Sequence, residues 1–274
     1  MRRGGPLLDR VDRRVLAAVR LVDVVTGRPI ARPLSVSADG VRFLRSRSGL
    51  YVISAAGGLE AHTTAFEAPP AEPAPESLRF ELSIDDPLGV YLERRATIGL
   101  PRRAEPPADD PQALPDLFRP IDIEMFPSPA APVRPNWGGL RLTVRRGNAP
   151  EPRPGLPGVL ATLHRPGTPE QVLARGLSDE RGEAVVLVPG LKISQGIENP
   201  PDDGGAGGGG GPVTTPVTQA ELDLLVRRDL AWPVDPATLG ALPDEAVVAV
   251  PSVMGVLLRT GEIRHLELEV PVPD

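Results

Sequence analysis

Three histidines, His62, His164 and His265, are the side chains with an ordinary pKa near neutrality, and no cysteine stands beside them as a second reactive type. Each falls in a different stretch, and scattered single histidines lack the ligand spacing of a zinc site. The densest local set is His265-Leu266-Glu267-Leu268-Glu269. On a strand, a period of two places His265, Glu267 and Glu269 on one face, and one imidazole with two carboxylates can take a divalent metal. The outer face of an edge strand has the same pattern, its like charges guarding against unwanted pairing. The second reading is the expectation here.

Other residues invite chemistry and fail on spacing. The pairs Asp85-Asp86, Asp109-Asp110 and Asp202-Asp203 are sequence neighbours beside proline or glycine. Catalytic carboxylates instead face each other from separate elements, so these pairs read as turns. Gly205–Gly210 satisfies a G-x-G-x-x-G pattern, but the dinucleotide fingerprint needs a strand before it and a helix directly after. Pro212 follows instead, and the run reads as a linker. Trp137 and Trp232 are two of nine aromatics and could stack on a sugar ring. Trp232, beside Pro233, reads as a packing anchor. Nucleophile elbow, zincin helix, phosphate loop and calcium loop patterns are all missing from the sequence, so no catalytic residue, metal site or cofactor is expected.

Short apolar alternations must position these residues. The 274 residues include 35 prolines and 29 glycines, close to the share at which disorder sets in. The 41% hydrophobic content, in short Val-, Leu- and Ile-rich runs, points instead to ordered sheets joined by stiff loops. Net charge is −6 with both signs mixed, which argues against a nucleic-acid partner. Arginine supplies every basic residue but Lys192, as a GC-rich genome would. The N-terminus, interrupted by Asp9, Arg10, Asp12, Arg13 and Arg14, does not read as a signal peptide. No run approaches the length of a membrane span. A cytoplasmic protein is expected.

The spacing predicts a mainly β chain of two tandem antiparallel β-sandwich domains with Pro-rich linkers and one short helix in the C-terminal half. The first domain covers 12–102, with about seven strands. Its clearest strand sets Phe80, Leu82 and Ile84 against Arg79, Glu81 and Ser83. Residues 103–120 form a Pro-rich, semi-rigid linker. The second domain covers 121–274, with a Gly-rich loop at 203–211. Thr218 and Glu221 form a capping box, and Leu222, Leu225 and Val226 share a helical face, predicting a helix near 218–230. Asp235-Pro236 predicts a short helical turn. Val253–Leu258, the turn at Arg259-Thr260-Gly261 and the alternation of Leu266, Leu268 and Val270 predict a terminal β-hairpin.

Asp23-Val24-Val25-Thr26-Gly27-Arg28-Pro29-Ile30, followed by Ser48-Gly49-Leu50-Tyr51-Val52-Ile53, resembles the carboxypeptidase-regulatory-like and transthyretin-like β-sandwich domains. Gly158-Val159 with Ser178-Asp179-Glu180-Arg181-Gly182-Glu183 is similar to a second hallmark of that superfamily, the T-D-x-x-G-x turn. The resemblance implies an accessory domain without peptidase chemistry. The wider layout is similar to that of proteins associated with phage-tail-like contractile injection particles in GC-rich bacteria. It has a leading R-L-V-D-x-V-T-G-R-P, a Pro-rich middle, an L-S-D-x-R-G-E-A turn and a glycine-interrupted C-terminal half. This implies a non-enzymatic structural or assembly role, with other subunits of a large particle as partners. A carbohydrate-binding sandwich module is the alternative.

Overall fold

The computed structural model describes residues 14–64, 70–106, 110, 112–191 and 217–272, so the Gly-rich 203–211 loop, Asp109, the Asp202-Asp203 pair and the N-terminal ten residues lie outside the described residues. The fold is mainly β. In chain order it runs β1 (Ala17–Asp23), β2 (Ser35–Ser37), β3 (Val41–Arg45), β4 (Tyr51–Ala56), α1 (Glu60–Thr64), β5 (Leu78–Asp85), β6 (Arg94–Leu100) and β7 (Ile121–Met125). It continues with β8 (Gly138–Arg146), β9 (Leu160–Arg165), β10 (Thr168–Leu177), β11 (Glu183–Val188), β12 (Thr218–Arg227), α2 (Pro236–Leu239), β13 (Val247–Leu258) and β14 (Ile263–Val270). Four sheets result, ordered β3-β4-β1-β7, β2-β5-β6, β10-β9-β12-β13 and β11-β8-β14.

The chain divides into two compact units. The first holds residues up to Val22, Pro29–Ile84 and Arg95–Ile123; the second holds Asp23–Arg28, Asp85–Arg94 and everything from Glu124 on. The Pro-rich 103–120 stretch therefore groups with the first unit. Alternation explains the first unit's strands. In β5, Leu82 and Ile84 are fully buried while Glu81 and Ser83 are exposed. In β1, Val19 and Leu21 turn inward, and Arg20 on the opposite face grips both carboxylate oxygens of Asp122 at 2.6 and 2.7 Å. The buried Tyr51 hydroxyl accepts from Leu34 N and donates to Leu34 O, satisfying an otherwise buried polar tip. Gly49 sits at φ +84° in the turn from β3 to β4, where the left-handed region favours glycine.

The second unit is a two-layer sandwich. Leu140, Leu142 and Val144 of β8 and Ala184, Val186 and Val188 of β11 pack against Ala161 and Leu163 of β9 and Leu222, Leu224 and Val226 of β12. Burying one such aliphatic side chain stabilises by about 1.5–3 kcal/mol relative to exposure, so this core dominates the unit's energetics.

Two sequence expectations fail here. The segment predicted as a helix near 218–230 is strand β12. Ala220, Leu222, Leu224 and Val226 are buried in strict alternation, and the strand is paired on both sides, to β9 and β13. Leu222, Leu225 and Val226 do fit a helical face. Sheet partners distant in sequence override that local preference. The predicted terminal hairpin is also not one: β13 pairs with β12, whereas β14 crosses to the other layer and runs parallel to β8. A tight turn between two alternating strands fits an arch between layers as well as a hairpin. The short helical turn is present, with Pro236 opening α2 and the Asp235 side chain accepting from Ala237 N at 3.2 Å.

Candidate functional site

The acidic residues flagged by the sequence act mostly on their own backbone. Asp23 Oδ1 accepts from Val25 N and Thr26 N at 2.8 Å, and its Oδ2 accepts from the Tyr91 hydroxyl at 2.6 Å. Asp86 is buried and accepts from Leu88 N, Val90 N and Tyr91 N. Asp179 Oδ1 accepts from Arg181 N and Glu183 N, both at 2.9 Å. Beside it, Ser178 Oγ accepts from Val159 N and donates to Leu156 O. Asp110 accepts from Gln112 N. These carboxylates cap turns, as short polar side chains beside glycine and proline do.

The strand β14 set His265, Glu267 and Glu269 does share an exposed face. Its carboxylates are occupied by arginine: Arg145 Nε lies 2.5 Å from Glu267, and Arg153 pairs with Glu269 and, at 3.0 Å, with Glu151. Among the described residues no group of three His, Asp or Glu side chains is arranged to hold a metal. His62 lies apart on α1, buried.

His164 is different. It sits on β9 at 2% exposure, opposite Glu221 of β12. Its Nδ1 lies 3.1 Å from the Arg165 carbonyl and 3.7 Å from Glu221, and its Nε2 lies 2.9 Å from Asp223. The Asp223 contact is an ion pair out of line with an ideal hydrogen bond, since Nε2 makes no aligned bond. A carbonyl can only accept, so Nδ1 carries a proton, and a carboxylate against Nε2 favours a second one. The Arg165 carbonyl, with Asp223 and Glu221, outweighs burial and raises the His164 pKa above its ordinary value. Both ring nitrogens face oxygen acceptors, so this buried ring turns no free lone pair toward a substrate. Beside it runs an open groove of about 560 Å³, lined by Leu160, Thr162, Asp223, Leu225 and Val250 among others.

Reading 218–230 as a helix hid this cluster. On a strand, Glu221 and Asp223 fall on one face, and that alternation was the available signal. The partner His164 lies more than fifty residues away and was not locally legible.

The two histidines predict opposite pH limbs. Burial, then the Arg14 charge, lowers the His62 pKa, against a hydrogen bond to the Pro70 carbonyl. A raised folded-state pKa gives stability that is complete below the unfolded value of about 6.5 and lost as pH climbs through the folded value. A lowered one gives stability lost as pH falls through it. The denaturation midpoint should therefore decline on the alkaline side because of His164. His164→Gln should flatten that limb while leaving the acid limb; an unchanged alkaline limb would refute the raised His164 pKa.

A second polar centre was invisible in the sequence. Arg94, 3% exposed, donates to the Glu124 carbonyl and, at 2.8 Å, to Asp235 Oδ1. Arg175 in turn pairs with the Glu124 carboxylate at 2.5 Å. Beside these residues in sequence, Leu92, Phe126, Leu177 and Val234 form a small buried cluster, with Trp232 packed against it. Trp232 thus serves packing, although the element it follows is a strand. Trp137 is half-buried, and the Arg134 guanidinium stacks 5.1 Å from its ring centroid.

No helix among the described residues is long and apolar enough to cross a membrane. Compared with protein-family models, curated proteins and solved structures, the chain matches none of them.

Proposed function

We propose that this protein is a non-enzymatic structural or assembly subunit of a bacterial multiprotein particle of the phage-tail-like contractile kind. It would be built in the cytoplasm from domains of the carboxypeptidase-regulatory-like and transthyretin-like type. One observation carries the reading: most of the side chains best suited to chemistry are bonded into the scaffold. Asp23 and Asp179, which carry the resemblance, pin turns. His164 is clamped between a carbonyl and Asp223, and Glu267 and Glu269 face arginines. Such a chain builds shape.

Shape suits assembly in two ways. Sandwich edges accept strands from neighbours. The Pro-rich stretch displays Leu114 and Phe118, 65% and 67% exposed, on a backbone with little freedom left to lose on binding. Affinity purification of the tagged protein, expressed at its native level, should recover sheath, tube or baseplate proteins. Recovery of the free monomer alone, with a Trp137 or Trp232 fluorescence shift on adding a glycan, would replace this reading with the carbohydrate-binding one.

A further inference from the structure

In the first unit, two shielded nitrogens belong to side chains that line one small cavity. His62 is 5% exposed, and among the described residues its Nδ1 has no hydrogen-bond partner; the same holds for Arg102 Nε. Both side chains line a partly open cavity of about 20 Å³, walled also by Arg14, Val15, Leu16, Pro101 and Leu117. The remaining Arg102 nitrogens are engaged elsewhere: Nη1 bonds Glu76 at 2.6 Å, and Nη2 lies 4.0 Å from Asp116. An isolated buried donor or acceptor costs about 1–3 kcal/mol, so two at one cavity call for a common partner.

We propose that this cavity is a binding site for one ordered water, which accepts from Arg102 Nε–H and donates to His62 Nδ1. The volume fits, since a single water needs roughly 10–15 Å³ of such space and larger polar ligands need several times more. The hydrogen-bond polarity also fits. The Pro70 carbonyl acts on the His62 ring as an acceptor, and with Nδ1 lacking a partner among the described residues the ring proton is assigned to Nε2. Nδ1 is then an acceptor, while Arg102 Nε can only donate. Water supplies one acceptor and one donor at once within that volume. Chloride would bond Arg102 but would oppose the Nδ1 lone pair.

The water joins α1 to the start of the Pro-rich stretch. The same stretch is held by Leu117 N donating to Arg103 O at 3.0 Å and by Glu76 N donating to Pro101 O at 2.8 Å. It acts as a further tie that fixes the segment displaying Leu114 and Phe118.

Water-selective cross-relaxation NMR on the full chain, in chloride-free buffer near pH 7, tests the site. A long-lived water should give a cross-peak to the His62 ring proton between the two nitrogens, unchanged when chloride is added. Arg102→Met keeps the length of the side chain and removes the Nε donor, and it should abolish that peak. Absence of the peak in the unsubstituted protein, its loss on adding chloride, or its survival in the folded variant would each overturn the assignment.

Discussion

Replacing Arg94 by alanine should cost about 3–5 kcal/mol of stability, the range for breaking one side of a buried ion pair. The guanidinium bonds the Glu124 carbonyl and Asp235, whose own side chain caps α2. Burial pushes the Arg94 pKa down, yet the nearby Asp235 and Glu124 charges resist, and arginine stays charged at neutral pH. Its removal takes the guanidinium from a shielded carboxylate and from the Glu124 carbonyl, and that loss is the main cost. Double replacement, Arg94→Met with Asp235→Leu, should be milder than Arg94→Ala because no charge is left behind. Chemical denaturation of the three proteins measures this. A loss below about 1 kcal/mol for Arg94→Ala would place the pair in the solvated class.

Gly182→Ala should be the second severe substitution. Gly182 holds φ +79° in the turn after Asp179, and an added Cβ would lie 2.6 Å from Leu156 N and closer still to the Val144 carbonyl. Those are backbone atoms that hold the turn: Val144 N bonds Gly182 O and Leu156 N bonds Val144 O, both at 2.8 Å. Left-handed backbone costs an alanine about 1–2 kcal/mol and overpacking about 1–3 kcal/mol more. The expected loss is about 2–5 kcal/mol. Gly167→Ala is the control, at φ +70° with open space around the added carbon. It should show the backbone cost alone. Equal denaturation midpoints for the two variants would mean that the turn yields to the added carbon.

These two sites differ in how visible they were. The Ser178–Glu183 turn is local chemistry: an acid, a glycine and flanking alternation within a few residues, all legible in the chain. Strands such as β5 and β8 were equally legible, because Leu82 with Ile84, and Leu140 with Leu142 and Val144, keep a period of two. Arg94 and His164 were not. Each owes its role to a partner far along the chain, Asp235 and Asp223 respectively, and no local pattern encodes such register. Segment 218–227 shows the limit of periodicity. Leu222, Leu225 and Val226 satisfy a helical stripe, while Ala220, Leu222, Leu224 and Val226 satisfy a strand. The choice was made by β9 and β13 on either side. The arch to β14 failed in the same way, since the layer a strand joins is decided by its long-range partner.

The proposed role is that of a building part of a larger particle, its carboxylates engaged by its own backbone and arginines. Velocity sedimentation of a gently lysed culture of the encoding organism, with immunodetection of this chain, tests it most directly. The account predicts that the protein travels in the fast fraction with tube and sheath proteins. Sedimentation only at the position of a free 29.0 kDa chain, with particles present elsewhere in the gradient, would contradict it.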